Sequence, residues 1–204
     1  LAKKIDKKSG GSVTSVLQDL ENCGFIRCHY PYGHKRRGRY FKVCDAYTMF
    51  YSRFLKGKHG LDEHFWTNNL GSSVLNSWAG VAFESVCFSH LRQIKEKLGI
   101  IGVNTESTSL VCTDEDGRQT SQIDMLLVRA DNVVDVFEMK FSDGPYRIDK
   151  SYDLVLRRKL GDVRRFISPK YAMHLIIATN IGLEQNKYSS IAQNVITADD
   201  LFRP

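Results

Sequence analysis

The chain has 204 residues, 42% of them hydrophobic, which is enough apolar material for one large core or two modest ones. No apolar run approaches the roughly 18 residues a bilayer span needs, and the opening LAKKIDKKSG lacks the apolar segment of a secretory signal, so a cytoplasmic protein without a membrane anchor is expected. The net charge of +6 is uneven: residues 1–60 hold 13 Lys+Arg against 4 Asp+Glu, whereas residues 61–204 hold 16 against 19, which points to one part that meets a polyanion and another with a different task.

The segment GGSVTSVLQDLENCGF opens with the candidate caps Ser12 and Thr14, carries Val16, Leu17 and Leu20 at helical spacing, and has Gly24 just past its end. Two short alternating runs, FIRCHYPY and RYFKVCD, then flank the basic turn GHKRRG. Helix, strand, basic loop and strand are the parts of a winged helix, with Lys35, Arg36, Arg37 and Arg39 on a wing placed to meet DNA phosphates. After a helical AYTMFYSRFL, the stretch KGKHGLDEHFWTNNLGS suggests an irregular crossing between domains, so the expected division is a winged-helix-like 1–60, a linker 61–74 and a second domain 75–204. A long helix is expected from about Ser73 to Leu98, ended by Gly99, with Val81, Phe88, Leu91 and Ile94 on its apolar stripe. Glu84 falls on or beside that stripe, where a carboxylate needs a partner. Beyond it, GIIGVNT, TSLVCTDEDG, SQIDMLLVRADN and VVDVFEMKF predict strands, YRIDKSYDLVLRRKLGDVRRFI a helix, AMHLIIATN a strand and ITADDLF a closing element; the fold class is α/β, a sandwich with a mixed central sheet.

Within DVFEMK, Val134, Val136, Glu138 and Lys140 share one strand face, while Val133, Phe137, Met139 and Phe141 share the other. The first face starts apolar and turns ionic, so its charges are not the polar half of an ordinary solvent-facing strand. In SQIDMLL, Gln122, Asp124 and Leu126 share a face opposite Ile123, Met125 and Leu127, and RADN can turn this strand back onto VVDVFEMK. Asp124 then lies near Glu138 and Lys140. Two carboxylates converging in a half-buried groove repel each other unless a cation or a proton intervenes, and Mg²⁺ or Mn²⁺, which takes one or two carboxylates plus water and phosphate oxygens, answers that need. Lys140 would sit beside the metal and assist the attacking water, and Glu84 would join as a further ligand or as an orienter of water.

Asp124, a hairpin and then Glu138-Met139-Lys140 resemble the D…ExK signature of the restriction-endonuclease-like (PD-(D/E)xK) nuclease superfamily, with Glu84 at the place of its first-helix acid. The wider pattern SWAGVAFESVCFSHLRQIK, SQIDMLLVRADN, FEMKFS and IATNIGLEQNKYSSIAQNVITADDLF, preceded by the winged-helix-like block, resembles the C-terminal region of a family of archaeal and bacterial AAA+ P-loop ATPases over nearly the whole chain. The resemblance implies a restriction-endonuclease-like domain, a metal held by Asp124, Glu138 and the backbone carbonyl of Met139, and an ATPase module upstream. Leu1 at the start agrees with a piece of a longer protein. No G-x-x-x-x-G-K-[ST] occurs, so this segment carries no P-loop of its own.

The competing expectation for Asp124, Glu138 and Lys140 is an ion-pair network in a catalytically inactive nuclease-like module that binds DNA or a partner and regulates the ATPase. Tyr152, Lys150 and Lys159, on the helix after the motif, could meet phosphates, but a solvated face is the commoner outcome. Cys23, Cys28, His29 and His34 match no zinc spacing, and five irregularly placed cysteines suit reduced thiols; His90 and His174 are expected to be packed or capped.

Overall fold

The computed structural model describes residues 11–33, 38–57, 60 and 62–203. Helix α1 (Gly11–Asn22) stops where Gly24 turns to a φ of +76°, a conformation that costs glycine little. Strands β1 (Ile26–His29) and β2 (Tyr40–Val43) pair antiparallel, with Arg27 opposite Lys42 and His29 opposite Tyr40. Lys35, Arg36 and Arg37, the expected wing, lie outside the described residues, while Arg39 is exposed.

Helix α2 (Ala46–Phe50) is capped by Asp45, whose carboxylate accepts from the Thr48 N–H at 2.6 Å, and it continues into one wide turn over Tyr51–Leu55. The stretch expected as an irregular crossing contains helix α3 (Phe65–Asn69). Its two aromatic residues drive this difference: Phe65 lies 5.1 Å from Phe54 and Trp66 lies 5.5 Å from Phe50, ring centre to ring centre, in a cluster that also holds Trp78. Contacts among these large rings outweigh the local turn signal of Gly60 and Gly71.

The long helix expected over 73–98 is two, α4 (Ser73–Ser89) and α5 (Leu91–Lys97). The break falls at His90, whose backbone sits at φ −113° and ψ 31° and whose Nδ1 lies 2.8 Å from the Val86 carbonyl, so the side chain competes for a helical acceptor. Gly99 ends α5 at a φ of +69°.

Five strands follow in one sheet: β3 (Thr105–Thr113), β4 (Gln119–Arg129), β5 (Val133–Lys140), β6 (Ala172–Thr179) and β7 (Asn194–Ile196), ordered as in the sequence. The first three are antiparallel and the last three parallel, which makes the sheet mixed. The parallel β5–β6 step needs a crossover, and α6 (Lys150–Phe166), capped by Asp149, supplies it. Residues GIIGVNT form turns rather than a strand. Helix α7 (Ala198–Leu201) closes the chain behind a Thr197–Asp200 capping box.

The sheet is buried on both faces. Phe83, Cys87 and Ile94 pack on Met125, Leu127, Phe137 and Ile176 from one side, and Val163 and Ile167 pack on Leu126, Val134 and Val136 from the other. The chain is thus α/β, a five-stranded mixed sheet between helices. On the β5 face of Phe137 and Met139 stands also the charged residue Asp135. It is 1% exposed and lies 3.5 Å from both Arg129 and His174, with burial pushing its carboxyl above the usual range against both. The free edge of β3 is covered: the Tyr32 N–H donates to the Ser109 carbonyl at 2.7 Å and the Ser109 N–H donates to the Tyr30 carbonyl at 3.3 Å. Among the described residues, no helix is long and apolar enough to cross a membrane.

Candidate active site

Strict alternation in β4 breaks at Asp124. Leu110 faces Ile123 and Thr108 faces Leu126, so Asp124 and Met125 together oppose the single residue Ser109. This bulge explains why Ile123 packs in the cluster of Leu126 and Val136 while Met125 packs on the other side of the sheet. It also stands where the β4–β5 ladder ends, since Leu126 opposite Val136 is the last pair before the acids. The two strands therefore part at Asp124 and Glu138 and leave a cleft of about 100 Å³, lined by Glu84, Gln122, Asp124, Glu138, Met139, Lys140 and Lys159.

All four residues expected to do the chemistry, Glu84 from α4, Asp124 from β4 and Glu138 and Lys140 from β5, line this one cleft. Met139 lines it too, and its side chain packs against the core cluster that includes Phe137 and Ile176. Both Glu138 oxygens are engaged. Oε1 accepts from the Tyr152 hydroxyl and lies 2.9 Å from Lys140 Nζ, and Oε2 lies 2.8 Å from Lys159 Nζ. Burial acts to raise the Glu138 carboxyl, but the charges of Lys140 and Lys159 and the Tyr152 bond outweigh it and hold it below its usual value. Tyr152 is correspondingly held in its neutral, donating form, by burial first and by the carboxylate second.

Asp124 finds a cation from an unexpected quarter. Lys42 Nζ, on β2, lies 2.7 Å from Asp124 Oδ1 and 3.5 Å from Glu84 Oε2, and the Gln122 amide donates to the same Asp124 oxygen at 3.0 Å. Burial raises Asp124, yet Lys42 and Gln122 more than offset it and the carboxyl is lowered. Glu84 is raised, first by burial and then by the charge of Asp124, so the longer contact to Lys42 does not dominate it. Asp124 is the main partner of that lysine.

A hard divalent ion takes carboxylate oxygens, and among the described residues two oxygens of these acids are unengaged. Among the described residues no hydrogen bond or ion pair reaches Asp124 Oδ2 or Glu84 Oε1, and both side chains are about 30% exposed (30% and 27%) to the cleft's solvent. Glu138 would have to exchange a lysine for the ion. As they stand, three carboxylates face Lys42, Lys140 and Lys159, and among the described residues no group of three or more His, Cys, Asp or Glu is set to hold a metal.

Lys42, Tyr152 and Lys159 join the site beyond the four expected residues. Tyr152 and Lys159 are seven residues apart on α6, two helical turns, and this spacing marks them as one face aimed at one target. Lys42 carries no such signal. Of the remaining expected residues, Arg39 stands away from the cleft, its guanidinium 5.7 Å from the centre of the Phe41 ring, and Lys150 is exposed at the start of α6. Cys23, Cys28 and Cys44 are free thiols, and Cys44 Sγ donates to the Gly24 carbonyl.

No family model and no curated protein matches the chain. A crystal structure of a protein of unknown function is similar to it with a TM-score of 0.37 and 16% identity, covering 55% of this chain and 56% of that one. The chain thus spans about half the length of that structure, and a likeness of this size carries no functional argument.

Proposed function

We propose that the cleft is the site of a metal-dependent phosphodiesterase acting on DNA, in a restriction-endonuclease-like domain that follows a winged-helix-like block and belongs to the C-terminal region of an AAA+ ATPase. The observation that carries this is the convergence of Glu84, Asp124, Glu138 and Lys140, from a helix and two strands, on one cleft between parting strands. Asp124 and Glu138, with the Met139 carbonyl and with Glu84 beside them, would hold Mg²⁺ or Mn²⁺. Such an ion supplies a Lewis acid and a water of lowered pKa. The chain's own groups do the rest. Lys140 and Lys159 bracket Glu138 and keep it ionised, and their ammonium groups stabilise negative charge that grows on a phosphate entering the cleft. Tyr152 fixes the Glu138 rotamer by donating to Oε1. The basic excess of residues 1–60 would hold the duplex through its phosphates, so affinity falls steeply with salt.

The test is Mn²⁺ calorimetry on the wild type and Asp124→Asn, with plasmid nicking followed in the same samples. Binding and nicking that both vanish in the variant support the proposal. A folded chain with neither heat nor nicking supports a second reading that the lysines favour: three carboxylates facing three ammonium groups are balanced without a metal, as in an inactive module that binds DNA or a partner and regulates an ATPase.

A further inference from the structure

We infer that the β1–β2 hairpin is an autoinhibitory cap, and that Lys42 occupies the place of the divalent cation between Asp124 and Glu84. This rests on the proposed metal site and adds its regulation. Among the described residues of positions 1–60, the lysine is the only group that enters the cleft's ion pairs, at 2.7 Å from Asp124 and 3.5 Å from Glu84. An ammonium bridging two carboxylates from different elements satisfies the same repulsion that a metal would satisfy.

The hairpin that delivers it is docked along α4 at successive turns. Lys42 meets Glu84, the edge of Phe88 meets His29 at 4.9 Å between ring centres, and Arg27 donates to the Ser89 hydroxyl at 3.1 Å with its guanidinium 5.3 Å from the Phe88 ring centre. His29 is 6% exposed and stacks on Tyr40 at 5.2 Å, so the two strands present one packed face to the helix. Just beyond β1, Tyr30 and Tyr32 grip the β3 residue Ser109 that opposes the Asp124 bulge. The cap and the acid it covers are therefore anchored to the same point of the sheet. Cation binding at the acids and hairpin docking compete, and a ligand that pulls the basic N-terminal block toward itself, as a polyanion does, opens the site.

Two measurements on the full chain test this. If the docked state leaves the site open for about a tenth of the time, Lys42→Met binds Mn²⁺ about tenfold tighter than the wild type by calorimetry, with the gain abolished by Asp124→Asn in the same chain. Acetylation of Lys42 by an N-hydroxysuccinimide ester, read by mass spectrometry on the wild type, rises when Mn²⁺ is added, and it rises without Mn²⁺ in Asp124→Asn. Equal or weaker binding by Lys42→Met, or Lys42 labelling that ignores both Mn²⁺ and Asp124→Asn, overturns the cap and leaves the metal site standing. Absence of Mn²⁺ heat in both the wild type and Lys42→Met removes the metal site and the cap with it.

Discussion

Replacing Glu138 by Gln tests the electrostatics of the cleft without any substrate. The side chain is 8% exposed and bound by Lys140 at 2.9 Å, Lys159 at 2.8 Å and the Tyr152 hydroxyl. A glutamine keeps the shape but leaves two ammonium groups facing a neutral amide. Truncating one partner of a buried pair costs about 3–5 kcal/mol, and the partial exposure of both lysines, which lets them turn to water, lowers this to about 2–3 kcal/mol. In a chain of this size that is a fall in Tm of about 5–10 °C. The penalty must depend on pH in one direction. Because the folded carboxyl lies below its ordinary 4.5, the wild type holds its extra stability above that value and loses it as pH falls through the folded pKa. Urea unfolding in EDTA at pH 7 and at successively lower pH should show the gap between wild type and variant closing in acid. A gap at pH 7 of less than about 0.5 kcal/mol, within the usual range for surface changes, or one that stays constant on acidification, would refute the ion-pair account.

Lys159→Met removes one of the two cations that hold Glu138, and nicking should fall by about 10- to 100-fold while Tyr152 and Lys140 keep the fold; an unchanged rate would separate Lys159 from the chemistry. Asp135→Asn should act in the opposite sense to Glu138→Gln. The folded Asp135 carboxyl is raised, chiefly by burial, so at pH 7 its charge detracts from stability, and the wild type should gain on the variant as pH falls through the folded pKa; equilibrium unfolding of the pair reads this directly. In native protein an aromatic disulfide reagent should spare Cys87 and Cys112, which are fully buried with thiol pKa values pushed up to about 12 and about 11, and should react at once with exposed Cys23; rapid loss of all five thiols would contradict the packing of α4 on the sheet.

Local signals reached the parts of the site that are local. Asp124 and the pair Glu138 and Lys140 stand in short runs whose alternation is visible, and the turn at Ala130–Asn132, where Asn132 takes a φ of +63°, brings those runs together without help from the rest of the chain. Tyr152 and Lys159 were within reach too, since a seven-residue interval on a helix puts both on the side that faces β5. The break at His90 depends on a side-chain bond to Val86 that no periodicity announces, and helix α3 depends on aromatic partners in the elements on either side of it, Phe50, Phe54 and Trp78.

The bulge and Lys42 are of a different kind. Which residue of β4 is doubled opposite Ser109 is settled by the whole β3–β4 pairing, and Lys42 reaches Asp124 across 82 positions of sequence. Both features meet at the same carboxylate. The bulge spoils the alternation that would have seated Asp124 in a regular ladder, so that side chain is free to turn into the cleft, and the freed acid then needs a counter-charge. A hairpin rich in basic residues and docked on α4 supplies one from outside the sheet. The acid at the centre of the proposed metal site is thus the acid that Lys42 already holds, and on that proposal a ligand that draws the N-terminal block to itself competes with Asp124 for Lys42 and frees the carboxylate.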